Sequence, residues 1–308
     1  GGQIGDSGVL EGNSGIISIE DTKKLPDGIV YCIGTVTEGV ISTGETVKTV
    51  VDRERREDIA RNHTGTHLLQ AALRRVLGSQ VNQAGSLVLP EKLRFDFTWP
   101  EAVTDKQIAE VERIVNEQIW KSTTLDIDEM PIAKAKEMGA IALFGEKYGD
   151  SVRMIQFGSS KELCGGTHVK NTGEIGYFKI QNESSTAAGI RRIEAISGDK
   201  SAEYFQSLEL QIKEISALLK SKDLAKSVEK LIEENATLKS NFEALKKEKA
   251  KGETANWKND FVENGGKKLL VKKVSMDAGS VKDIVFQLKK EVEKSVIVIL
   301  SDADGKPM

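Results

Sequence analysis

All three histidines of this 308-residue chain fall in two short motifs, His63-Thr64-Gly65-Thr66-His67 and, far downstream, Cys164-Gly165-Gly166-Thr167-His168. On a helix, positions i and i+4 share a face and put their Cβ atoms ~6 Å apart, which suits one metal ion. Cys164 and His168 offer a second pair at the same spacing, and the glycines between them let the backbone wrap tightly. A lone His-x3-His pair is often a solvated helix face. Here every histidine and one of only two cysteines take part, so the two stretches are expected to meet around a single cation. Three imidazoles and a thiolate form a borderline-soft tetrahedral set, which favours Zn2+. Four protein ligands close a structural site, whereas catalysis needs an open position, and the sequence leaves both readings open.

The region around these motifs reads as α+β. An apolar stripe at Ile59, Leu69, Leu73, Val76 and Leu77, stopped by Gly78, predicts a helix over 53–78. Leu93-Arg94-Phe95-Asp96-Phe97 alternates with period two, as in a half-buried strand. Thr104 or Asp105 caps a second helix carrying Ile108, Val111, Val115 and Ile119, and strands are expected at 151–157, 175–181 and 189–196. Gln83, Gly85 and Ser86 read most simply as a loop.

Residues 1–52 hold short β-branched runs separated by Gly, Asp and Pro, the pattern of part of a small β-barrel or sandwich. Cys32, within Val30-Tyr31-Cys32-Ile33, is expected to be a small core residue. Residues 199–256 change character. Leu208, Ile212, Ile215 and Leu219 form one heptad seam. Leu224, Val228, Leu231, Asn235, Leu238, Phe242 and Leu245 form another, after a break at Ser221-Lys222-Asp223. This predicts an antiparallel helical hairpin, with one long intermolecular coiled-coil helix as the rival. Residues 257–308 read as a strand-helix-strand piece of an α/β domain that looks truncated, and both ends of the chain look cut.

Hydrophobic content of 39% and charged content of 30% suit a globular protein. No run approaches the ~18 apolar residues of a membrane span, and no secretory signal is visible. Two cysteines are too few for a disulfide framework, so a cytoplasmic setting is expected. The net charge of −3 requires any nucleic-acid contact to come from local patches.

Taken together, several segments resemble alanyl-tRNA synthetases. They are Gly1-Gly2-Gln3-Ile4-Gly5-Asp6-Ser7-Gly8, Arg61-Asn62-His63-Thr64-Gly65-Thr66-His67-Leu68-Leu69, Gln83-Ala84-Gly85-Ser86-Leu87 and Leu93-Arg94-Phe95-Asp96-Phe97. Glu162-Leu163-Cys164-Gly165-Gly166-Thr167-His168 and Gly189-Ile190-Arg191-Arg192-Ile193-Glu194 complete the set, in matching order. The Gly1-Gly2-Gln3 triplet also matches the loop of peptide-release factors, but nothing around it does, and that likeness is taken as coincidence.

The resemblance implies the tail of a β-barrel domain (1–52), an editing domain (53–198), a helical linker (199–256) and the start of a C-terminal domain that binds tRNA and dimerises (257–308). A class II aminoacylation core, with its ATP and Mg2+, would lie outside the chain. It implies hydrolysis of tRNA(Ala) mischarged with serine or glycine, a second sieve for amino acids that an alanine-sized pocket cannot reject. Carried over by position, His63, His67, Cys164 and His168 hold zinc, Thr66, Gln83 and Ser86 line the catalytic pocket, and Arg191 and Arg192 contact tRNA phosphate. A structural salt bridge is the competing role for the two arginines. A free-standing alanyl-tRNA deacylase, a threonyl-tRNA synthetase editing region and a non-catalytic tRNA-binding module with structural zinc are the other readings. The leading Gly-Gly-Gln segment and the trailing linker fit the alanine family better than the threonine one.

Overall fold

In a computed structural model the structure describes residues 2–25, 28–142, 149–158, 160–303 and 306–307. Gly1, Gly305 and Met308, on which parts of the sequence reading fall, lie outside them. The chain divides into two compact units, Gly1–Leu210 and Gln211–Met308.

The first unit opens with an antiparallel sheet of β1 (Gly8–Glu11), β2 (Gly15–Lys24), β3 (Val30–Gly39) and β4 (Lys48–Val51), in the order β3-β2-β1-β4. β3 is an edge strand whose residues are exposed throughout, so Cys32 is an exposed thiol and not the core residue expected from its apolar neighbours.

Helix α1 (Arg53–Leu77) follows at once. Asp52 caps it by accepting the Arg55 amide proton at 3.1 Å, and Gly78, at φ 123°, ends it in a conformation that favours glycine. Next come β5 (Gln83–Val88), β6 (Leu93–Thr98) and α2 (Asp105–Trp120). Thr104 and Gln107 form a reciprocal capping box at the start of α2. β7 (Asp126–Pro131), α3 (Ile132–Glu137), β8 (Ser151–Phe157) and β9 (Ser160–Leu163) build a small sheet in the order β7-β8-β9. β10 (Lys179–Ala187) and β11 (Ile190–Ile196) complete a second sheet in the order β10-β11-β6-β5.

Period-two alternation in β6 and β11 aims Leu93, Phe95, Phe97, Ile193 and Ala195 to one face, where all five are fully buried with Leu69, Leu73, Val111, Val115 and Phe178. At ~1.5–3 kcal/mol for each large apolar side chain, this core is the main stabilising element of the unit. Gln83, Gly85 and Ser86, read from sequence as a loop, lie instead in strand β5. A bulge between Gln83 and Gly85 breaks the alternation that would have revealed it. The strand expected at 175–181 starts later, at Lys179, because Thr172–Ile175 closes a 3-10 turn.

Helix α1 is buried almost all round between Asn62 and Gln70, beyond its apolar stripe. The polar side chains there are satisfied locally. Thr64 and Thr66 donate to the carbonyls of Ala60 and Asn62, and Asn62 donates to Leu89 and Pro90 and accepts from Ser197.

α4 (Asp199–Leu219) leaves the first unit at Leu210, and α5 (Leu224–Trp257) lies in the second. Lys220 turns left-handed at φ 49°, and Asp223 caps α5 through the Lys226 amide, so the break falls where the heptad phase slips. Ile212, Ile215, Leu231, Leu238, Phe242 and Leu245 on the two seams remain exposed. The second unit adds β12 (Val262–Asn264), β13 (Lys267–Val274), α6 (Ala278–Glu291), β14 (Ser295–Ala303) and β15 (Lys306–Pro307). β13 and β14 pair in parallel, with Trp257, Leu270, Ile284 and Leu288 as core. Among the described residues no helix is long and apolar enough to cross a membrane.

Candidate metal centre

α1 delivers His63 and His67 from adjacent turns of one face, and the loop leaving β9 delivers Cys164 and His168. One ligand atom from each lies within 4.8 Å of every other. His67 Nε2 is 3.1 Å from His168 Nε2, and His63 Nε2 is 3.4 Å from Cys164 Sγ. Bonds of ~2.0–2.3 Å to a tetrahedral ion give ligand–ligand edges of roughly 3.3–3.7 Å. Two of the pair distances are near such edges and the widest, at up to 4.8 Å, is about 1 Å longer, so the four donors can close on one zinc ion by a small contraction.

Two groups orient the rings. Gln3 Oε1 accepts from the Thr167 amide at 2.9 Å and lies 2.7 Å from His63 Nδ1. Since a backbone N–H can only donate, Oε1 is the acceptor, so the proton sits on His63 Nδ1 and leaves Nε2 for the metal. Glu162 Oε2 does the same for His67, 2.5 Å from Nδ1. Such outer partners fix the tautomer and raise ligand basicity. Gly166 makes the packing possible: a Cβ there would stand 2.1 Å from His63 Cε1 and 2.7 Å from Gln3 Oε1. Gly165 has open space, so only one of the two glycines is sterically required.

Burial holds the His63 imidazole well below its ordinary range, helped by the charge on His67. Burial and His67 push His168 down to about 2. Burial depresses His67 as well, but the Glu162 carboxylate and Cys164 sulfur outweigh it and carry it up to about 10. Burial raises the Cys164 thiol, yet contact with His67 leaves it below its ordinary value. His63 and His168 are thus held towards the neutral form and His67 towards the protonated one, and a dication can replace that proton.

The other predicted site residues are placed as follows. Thr66 is buried, with its hydroxyl proton committed to Asn62. Gln83 Nε2 donates to Ser86 Oγ at 3.1 Å. Ser86 packs against Gly2, the neighbour of Gln3, so β5 reaches the metal centre's surroundings through the leading segment. Arg191 and Arg192 make two-point ion pairs with Glu183 and Asp96 inside the sheet, the structural role weighed against phosphate contact. The residues that reading from sequence did not single out are Gln3, Glu162 and Arg153. Glu162, two positions before Cys164, was the one with a visible signal. A cleft of about 890 Å³ borders the cluster at Gly166, Thr167 and His168 and runs past Arg153 and Lys170 to the first turns of α1.

Residues 152–194 match the family described as the threonyl and alanyl tRNA synthetase second additional domain. The chain is 46% identical over 310 residues to "Alanine--tRNA ligase 1" of Lachnoclostridium phytofermentans, covering 99% of the chain and 35% of that protein. It is 42% identical over 303 residues to an alanine–tRNA ligase of Listeria monocytogenes, covering 97% of the chain and 34% of the relative. A Staphylococcus aureus alanine–tRNA ligase is 43% identical over 312 residues, with 99% and 36% covered. Nearly the whole chain is similar to one part of alanine–tRNA ligases. It spans about a third of the length of the curated relatives it matches. The matched second additional domain contains Cys164 and His168, while α1, with the two remaining ligands, lies before it.

Proposed function

We propose that this chain carries the editing activity of an alanyl-tRNA synthetase, hydrolysing the ester of tRNA(Ala) mischarged with serine or glycine. The convergence of His63, His67, Cys164 and His168 beside an open cleft carries the reading. The similarity to alanine–tRNA ligases supports the choice of tRNA. The whole protein would attach alanine through a class II core that uses ATP and Mg2+, and would work in the cytoplasm. Within the chain, 1–52 is assigned as barrel tail, 53–198 as editing domain, 199–256 as linker and 257–308 as part of a tRNA-binding and dimerisation domain. The two heptad seams would be covered by pairing as a hairpin, and the C-terminal region would join two copies.

When bound at these four residues, zinc supplies a Lewis-acidic charge that positions and polarises the polar groups of the aminoacyl ester. The protein's own groups do the rest. Gln3 and Glu162 hold the rings in register. Thr66 has only its hydroxyl lone pairs left to offer as an acceptor. Gln83 and Ser86 act as a linked amide–hydroxyl pair that recognises the serine hydroxyl or the terminal ribose. Arg191 and Arg192 have the weakest support as phosphate contacts, since carboxylates already occupy their forks.

The deciding assay is deacylation of seryl-tRNA(Ala) by the wild type and by Cys164→Ala and Gln83→Ala. Turnover lost in the variants while the fold persists supports editing. Intact tRNA binding without wild-type turnover points to a binding module with a structural ion, consistent with four protein ligands closing the site.

A further inference from the structure

Arg153 on β8 stands apart from the other cations of the cleft. Its Nη1 donates to the carbonyls of Cys164 at 2.9 Å and Gly166 at 3.0 Å, pinning the guanidinium to the ligand loop. Both acceptors are neutral, and no carboxylate among the described residues pairs with it. The arginines of α1 that line the same cleft are already compensated: Arg53 by Glu57, Arg56 by Asp6 and Arg61 by Asp58. Lys170 lines the cleft and makes no ion pair among the described residues. Thr167 Oγ1, from another residue of the cleft wall, is buried without a hydrogen-bond partner.

A half-buried cation without a counter-charge is costly unless its charge is answered by something else. Among the described residues no ion pair supplies that answer, although Glu129 stands opposite Arg153 across β7 and β8, and Nε and Nη2 remain unused by their hydrogen bonds. A guanidinium fork takes a phosphate or a carboxylate in two-point fashion. The cleft is far larger than a single small anion requires and falls in the range of pockets that hold nucleotide-sized ligands. We infer that Arg153, with Lys170 beyond it, binds a backbone phosphodiester of the single-stranded RNA end that enters this cleft beside the metal centre. This assignment rests on the editing reading for its choice of RNA. The same guanidinium holds the carbonyls of Cys164 and Gly166, so phosphate binding and the ligand loop share one rigid group.

The test is fluorescence anisotropy of the full chain with a labelled single-stranded RNA octamer ending in CCA, titrated across NaCl concentrations. A matched octamer has uncharged methylphosphonate linkages at its 3′ end. Zinc content is measured on every variant. Arg153→Gln is expected to weaken binding of the natural octamer by about tenfold, the scale of one charged hydrogen-bonded contact. It should also flatten the salt slope by about 0.7. The methylphosphonate octamer should bind the wild type and Arg153→Gln alike. An Arg153→Gln protein with full zinc, unchanged affinity and unchanged slope overturns the assignment. If that variant loses zinc or folds poorly, Lys170→Gln and the methylphosphonate octamer decide. Unchanged slope in the first and full-strength binding of the second by the wild type overturn it, and a loss in either supports it. Failure of seryl-tRNA(Ala) hydrolysis with this charge dependence intact removes the editing reading alone. Hydrolysis without the charge dependence removes the Arg153 assignment alone.

Discussion

Gln3 and His63, 60 residues apart in the chain, meet with Gln3 Oε1 2.7 Å from His63 Nδ1, and the Thr167 amide donates to that same oxygen at 2.9 Å. One carboxamide thus ties the leading segment, helix α1 and the ligand loop together. Replacing Gln3 by Ala leaves His63 free to rotate and to change tautomer. Loss of an outer partner of this type costs about 10–100-fold in metal affinity. Competition for zinc against a chromophoric chelator should show that loss in Gln3→Ala, and much less in Gln3→Glu, which keeps an acceptor. Equal affinities in wild type and Gln3→Ala would show that His63 is held by something else.

The two glycines of the ligand loop should behave differently. A Cβ on Gly166 collides with the ring of His63 and the end of Gln3, and the ring can give way only by leaving its ligand position. A Cβ on Gly165 meets nothing within 4 Å. Gly166→Ala is therefore expected to abolish stoichiometric zinc binding, whereas Gly165→Ala binds one ion per chain. Metal analysis of the purified variants checks this, and a zinc-replete Gly166→Ala protein would refute the geometry.

Much of this site was legible in the residues themselves. The i, i+4 spacing of His63 and His67 holds only on a helix, and the stripe through Ile59, Leu69 and Leu73 supplied that helix. Cys164 and His168 were legible through chemistry, since thiolate and imidazole at that spacing complement the first pair. What stayed hidden depends on tertiary approach. Gln3 reaches the site because Gly2 and Ile4 hydrogen-bond Val88, a pairing that no local pattern in either segment announces. Strand β5 was hidden by its bulge, and nothing in the strand expected at 151–157 set Arg153 apart. Cys32 misled in the other direction, because an apolar run on an edge strand was taken for a buried one. The heptad seams were readable, but their periodicity alone does not say which surface covers them.

Asn116 ties α2 to Phe178, the residue just before β10. Its Oδ1 accepts from the Phe178 amide and its Nδ2 donates to the Phe178 carbonyl, both at 2.9 Å, with the residue 2% exposed. Asn116→Leu removes both partners and strands a buried backbone donor and acceptor. Each such group costs about 1–3 kcal/mol. Urea denaturation should therefore show a loss of about 2–6 kcal/mol with an unchanged m-value. A loss below half a kcal/mol would mean that water reaches Phe178 freely.

Metal removal should act locally as well as globally. The apolar core under the sheet, with Phe95, Phe97, Leu69 and Phe178, does not include the ligand cluster, so it persists when a chelator strips the ion. Of the loop from Cys164 to His168, Cys164 packs against the edge of that core and His168 lies against Phe157, and the rest has less support. Its anchors are the ligand contacts, Gln3 and Arg153. An ion that binds only the native state stabilises it by RT ln(1 + [L]/Kd), about 2.7 kcal/mol at a hundredfold excess over Kd. Chelation should therefore lower the melting temperature and speed hydrogen exchange first at 164–168, before the strands of the main sheet respond. His63→Ala should show the same fast loop exchange with or without chelator. If exchange at 164–168 is equally slow with and without metal in the wild type, the loop is held by its protein contacts alone, and the ion adds nothing to its order.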